Sequence, residues 1–165
     1  MKEHSPQFKG SITFTRREVP AFLGFFQKFG FFLKAGKIVS IKKYNNIFVN
    51  SGKQSILDRF TGLSTGLITY LALGSGTNVP LASDTTLQTE TYRKVITSRT
   101  RSGLKFYSST FIPSTEGDGT YKEIGLFGDS ATASANSGTL FTRAAVDEVK
   151  NSGESVTIDY DLESN

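Results

Sequence analysis

From Thr61 to the C-terminus the chain repeats one local pattern: short runs of Val, Ile, Leu, Tyr, Phe and Thr broken by clusters of Gly, Ser, Asn and Asp. Such runs predict strands, and the clusters predict the tight polar turns between antiparallel neighbours. Six strands are expected, at roughly 67–74, 92–100, 104–113, 120–128, 139–148 and 155–162. In the last, Val156, Ile158, Tyr160 and Leu162 alternate with Thr157, Asp159 and Asp161, so one face is buried and the other wet. Leu67 to Leu73 is almost continuously apolar, which predicts a central strand covered on both faces. No helical pattern separates the strands, so the expected fold is mainly β, an antiparallel β-sandwich or small barrel. One short helix is expected ahead of the first strand. Ser51 is placed to cap it, Ile56, Leu57 and Phe60 to form its buried face, and Gly62 to end it.

Charge divides the chain. Residues 1–44 hold nine Lys or Arg against Glu3 and Glu18, a net of +7, whereas the remainder holds ten against thirteen acidic residues, a net of −3. Nine of the fourteen Phe also lie before residue 49. These shifts predict a basic, Phe-rich N-terminal extension over 1–45 that acts as a docking arm, followed by a β-domain over 46–165. After Pro20, the residues Phe22, Phe25, Phe26, Phe29, Phe32 and Leu33 follow helical spacing and would form one apolar stripe. Gly24 and Gly30 weaken a free helix by up to ~1 kcal/mol each, so the stripe is more credible folded against a partner. Phe22, Phe25, Phe26, Phe29 and Phe32 are therefore the candidate docking residues. Gln27, Lys28 and Lys34 interrupt an apolar run too short for the ~20 residues of a membrane span, and the stretch lacks the layout of a signal peptide.

Little in the chain offers catalytic chemistry. With no Cys, thiol chemistry and thiolate metal sites are excluded, and His4, the only histidine, lies at the terminus with no fixed partner in prospect. The pairs Glu116 with Asp118 and Asp147 with Glu148 lie in or beside turns, where solvated carboxylates are the ordinary expectation. Asn50-Ser51-Gly52-Lys53-Gln54 fails as a phosphate-binding loop, because Ile47 stands where a Gly is needed and Gln54 where Ser or Thr is needed. Gly74-Ser75-Gly76 leads into a loop rather than a helix and fails as a dinucleotide fingerprint. No enzyme activity and no cofactor is expected. The mixture of Arg, Lys and aromatics before residue 45 admits nucleic-acid binding, but the absence of Trp and the single Tyr44 there favour protein contacts. Arg93, Lys94, Arg99, Arg101 and Lys105 form a second basic stretch, read as a solvated edge or subunit contact.

Several ordered blocks resemble a widespread type of tailed-bacteriophage tail and tail-fibre-associated protein. They are Asn50-Ser51-Gly52 leading a helix, Tyr70 to Pro80 with its Gly-rich turn, and Ser83 to Glu90 with its Asp84-Thr85-Thr86-Leu87 core. Then come Glu123-Ile124-Gly125-Leu126-Phe127, Leu140-Phe141-Thr142-Arg143-Ala144, and the closing Ser155 to Tyr160. The resemblance spans residues 46–163 and leaves the first 44 uncovered. It implies a non-catalytic β-domain built into a virion assembled in the bacterial cytoplasm, a symmetric homo-oligomer contacting other virion proteins, at a head, neck, tail or fibre position. The alternative is a host-surface module whose turns at 75–86 and 129–138 bind a receptor or glycan. On physical grounds, Leu81 and Leu87 would anchor the long loop after Gly74. Glu123, if buried in its strand, would need a partner such as Arg93.

Overall fold

The computed structural model describes residues 8–27, 29, 36–65 and 67–164 of the chain. Nine strands and two helices follow one another in the order β1 (Phe8–Glu18), α1 (Ala21–Gln27), β2 (Lys37–Phe48), α2 (Asn50–Thr61), β3 (Ile68–Gly74), β4 (Glu90–Val95), β5 (Ser98–Ser102), β6 (Lys105–Ile112), β7 (Gly119–Gly128), β8 (Thr139–Lys150) and β9 (Glu154–Ser164). All pair antiparallel in a single sheet of order β4-β3-β7-β8-β2-β1-β9-β6-β5, curled into a half-barrel. The mainly β expectation is met.

The alternation of β9 works as read, with Val156, Ile158, Tyr160 and Leu162 buried and Asp159 and Asp161 exposed. These side chains meet Ile12 and Phe14 of β1, Leu71 and Leu73 of β3, and Ile124 and Leu126 of β7 across the curl. A smaller cluster of Val49, Ala72, Leu87, Phe127 and Leu140 is separate from that core. It explains why β3 is apolar but for Thr69: the loop carrying Leu87 lies on its second face. The strand expected over 92–100 divides at Ile96 and Thr97. There the Ile96 amide bonds Thr69 O and the Thr97 amide bonds Ser109 O, so the chain passes from the β3 side of the sheet to the β6 side. That crossing joins the two edge strands, β4 and β5, and gives the sheet its curl.

The largest departure from expectation lies at the N-terminus. The boundary expected after residue 45 falls inside β2, and residues 8–18 are an interior strand rather than an arm outside the sheet. β1 pairs with β9 from Phe8↔Ser164 to Glu18↔Glu154 and with β2 from Gly10↔Asn46 to Glu18↔Lys37. Its period-2 signal is present, with Ile12 and Phe14 buried between less buried Ser11, Thr13 and Thr15. The positive charge that marked it as an arm sits on the outward positions and on Arg16, which pairs with Glu154.

α2 replaces the expected helix almost residue for residue and adds a correction to its faces. Gly62 ends it at φ 76°, with its own amide on Arg59 O and the Leu63 amide on Asp58 O. Ser51 does not cap it; its hydroxyl donates to Leu140 O at 2.7 Å. The face turned to the sheet is Gly52, Ser55 and Ile56, while Leu57 and Phe60 are exposed, Phe60 at 83%. Gly52 decides this orientation, since a Cβ there would lie 2.6 Å from Phe141 Cα and 2.8 Å from its carbonyl oxygen.

Candidate docking surface

α1 lies in the connection between β1 and β2. Pro20 starts it, its carbonyl accepting the Leu23 and Gly24 amides. The inward face is small and polar: Gly24 and Gln27 are buried, Gln27 Oε1 accepts the Ser114 amide at 3.4 Å, and a Cβ on Gly24 would lie 2.6 Å from Ser114 Oγ. Val19 ties the approach to the helix by donating its amide to Gly153 O at 2.9 Å. The outward face is apolar. Phe22, Phe25 and Phe29 are 69%, 63% and 62% exposed, and Phe26 is about half so. Phe25 meets Phe26 and Phe29 edge to face at 5.7 and 5.3 Å, so the rings form one cluster. Four of the five candidate docking residues therefore share a surface; Phe32 and Leu33 lie outside the described residues, as does His4. The helix is set the opposite way from an ordinary amphipathic one, with aromatics outside and a glycine face inside.

Glu123 is buried, at 1% exposure, and its partner differs from the expected one. Oε2 accepts from Arg143 Nη2 at 2.7 Å and Nε at 3.2 Å, and from the Gln88 amide at 2.9 Å. Oε1 accepts the Thr89 amide at 2.7 Å and the Gly76 amide at 3.1 Å. Arg143 Nη1 reaches Asp84 at 2.6 Å. Burial alone would lower the Arg143 pKa, but its hydrogen bonds to Asp84 and Glu123, with their charges, hold it above its ordinary value. Arg93 instead forks onto Glu90 at 2.6 and 2.8 Å and lies over the Phe127 ring at 4.3 Å. Its Nη1 also donates to the carbonyls of Thr132 and Ser137. Since Asn136 accepts the Leu87 amide and donates its own to Glu90, the loops at 75–89 and 129–138 are clamped to each other and to the sheet. Leu87 anchors the first loop as expected; Leu81 is exposed. The missed signal for Arg143 was an arginine inside the apolar run Leu140 to Val146, which requires a buried acid opposite it.

The other acidic candidates each have a cation. Glu116 pairs with Lys94, Asp147 with Lys122, and Asp118 with buried Lys150 at 2.6 Å. Glu148 is buried rather than solvated and accepts from Tyr44 Oη at 2.8 Å, with Lys42 3.8 Å away. Burial, and then that hydrogen bond, push the Tyr44 pKa up to about 12. β5, carrying Arg99 and Arg101, is an edge strand exposed along its whole length. Among the described residues no group of three His, Asp or Glu side chains is placed to hold a metal, and no helix is long and apolar enough to cross a membrane.

Compared with protein-family models, with curated proteins and with solved structures, the chain finds no match.

Proposed function

We propose that the chain is a structural or adaptor component of a tailed-phage virion, at a tail, tail-fibre, collar or head-decoration position, and docks to neighbouring virion proteins through α1. The observation that carries this reading is the Phe cluster held outward on a helix whose other face is pinned to Ser114. Each such ring is worth roughly 1.5–3 kcal/mol when fully buried, and a repeating assembly multiplies modest contacts into stable attachment.

The blocks that resemble phage tail proteins also support the reading by where they meet. Asp84 comes from the Ser83 to Glu90 block, Glu123 heads the Glu123 to Phe127 block, and Arg143 belongs to the Leu140 to Ala144 block; the three form one bonded chain. Residues that looked unrelated along the sequence thus serve one purpose, fastening the long loop at 75–89 to a rigid sheet.

The test is gold-labelled antibody against this protein, applied to purified phage particles and viewed by electron microscopy. Label gathered at one particle feature supports the reading and locates the protein. Absence of label from intact and disrupted particles alike overturns it and leaves a free binding module whose clamped loops face a host surface.

A further inference from the structure

A second apolar surface lies at the other end of the molecule. A groove of about 640 Å³ opens there, with Phe8, Phe48, Phe141 and Leu162 in its floor and Leu104, an exposed leucine, at its lip. The floor is aromatic and ordered: Phe8 stacks on Phe48 at 4.5 Å, and Phe48 meets Phe141 edge-on at 6.3 Å. Arg59, Arg99 and Arg101 also line it. They hydrogen-bond only to backbone carbonyls, those of Thr65, Ile68 and Gly103, and among the described residues none has a carboxylate partner.

β1 joins the two surfaces. Phe8, its first residue, is part of the groove, and Glu18, its last, stands three residues before α1. Eleven residues of strand at ~3.3 Å each separate them by roughly 35 Å, so the Phe cluster cannot fold back into its own groove. Any contact between them is between molecules.

We propose that Phe22, Phe25 and Phe29 of one copy insert into the groove of the next, so that the chain assembles head to tail. This rests on the reading of the protein as an assembly subunit and names its neighbour. The groove has the volume of a site that encloses a few rings. Its guanidinium rim suits aromatic faces, as the placement of Arg93 over Phe127 at 4.3 Å already illustrates within this molecule. Exposed Glu18, at the base of the helix, brings a carboxylate to arginines that have none. Two different patches in contact make a heterologous interface, which closes into a ring or extends as a filament according to the rotation between copies.

Sedimentation velocity of the full chain tests this with two variants at exposed positions, the arm variant Phe22→Ser/Phe25→Ser and the groove variant Arg101→Glu/Leu104→Glu. Wild type is expected to associate with rising concentration, and each variant alone to stay monomeric. An equimolar mixture is expected to give a dimer and nothing larger, because it holds one working helix and one working groove per pair. If either variant loses the wild-type melting temperature, Phe29→Ser or Arg99→Ser replaces it. Wild type that stays monomeric overturns the proposal, as does a groove variant that assembles like wild type or a mixture that stays monomeric. Labelled particles together with a monomeric wild type would sink head-to-tail assembly and keep the virion reading. Unlabelled particles with a dimeric mixture would do the reverse.

Discussion

Replacing Glu123 by Gln should cost about 4 kcal/mol, because the carboxylate accepts from more donors than one amide oxygen can serve. Three backbone amides and two guanidinium nitrogens converge on its oxygens. With the amide nitrogen turned toward Gly76 and Thr89, two buried N–H groups lose their acceptor. Turned the other way, Gln88 and Arg143 lose theirs. An unmade hydrogen bond at a buried group costs about 1–3 kcal/mol, and removing one side of a buried ion pair about 3–5 kcal/mol. These overlap rather than add, since Arg143 keeps Asp84 at 2.6 Å. Against a total stability of about 5–15 kcal/mol the variant should still fold. With a urea slope near ~2 kcal/mol/M, its midpoint should fall by about 2 M, as read by circular dichroism. A double-mutant cycle sharpens the test. Glu123→Gln combined with Arg143→Met should be less damaging than the sum of the two by at least ~1 kcal/mol, because the stranded charge is gone. The same cycle with Arg93→Met should show weaker coupling. A Glu123→Gln cost below ~1 kcal/mol, or stronger coupling to Arg93 than to Arg143, would refute the clasp.

Four further outcomes are expected. A chain beginning at residue 46 should fail to fold, because β9 would lose its β1 partner over eleven register pairs; native-like dispersion in its proton NMR spectrum would contradict this. Gly52→Ala should destabilise by about 1–3 kcal/mol even though alanine is the better helix former, since its Cβ would strike the backbone of Phe141. Gly62→Ala should cost about 1–2 kcal/mol from backbone strain alone, there being open space around it at φ 76°; the fall of each urea midpoint measures these costs, and an unchanged midpoint in either variant would contradict its cause. Burial raises the pKa of Tyr44 and Tyr121 to about 12, and those of Tyr92 and Tyr160 higher still. Because the folded values exceed the unfolded ~10, the stabilisation from keeping these phenols protonated is complete below pH ~10 and drains away as pH climbs through 12. Tyrosinate absorbance should therefore rise together with unfolding, and a rise completed near pH 10 in the folded protein would contradict the burial of these rings.

What the sequence determined alone is local. The turn residues and the alternation from Thr61 onward place seven of the nine strands' worth of chain to within a few residues, one expected strand becoming two, and Gly62 ends α2 because only glycine takes that backbone angle without strain. The outward stripe Phe22, Phe25 and Phe26 was legible for the same reason, as spacing along one helix, with Phe29 joining it from the turn that follows. Tertiary structure decided what depends on residues far apart in the chain. β1 is a strand because β9, more than a hundred residues later, supplies its hydrogen bonds, and its charge pattern alone pointed to an arm. Glu123 takes Arg143 rather than Arg93 because strand pairing brings β8 alongside β7, while Arg93 finds Glu90 three residues away. α2 turns Gly52 inward and Phe60 outward because close approach to Phe141 excludes a side chain, a steric demand no periodicity expresses. Alternation and turn chemistry belong to single segments; partner choice belongs to the geometry that brings segments together.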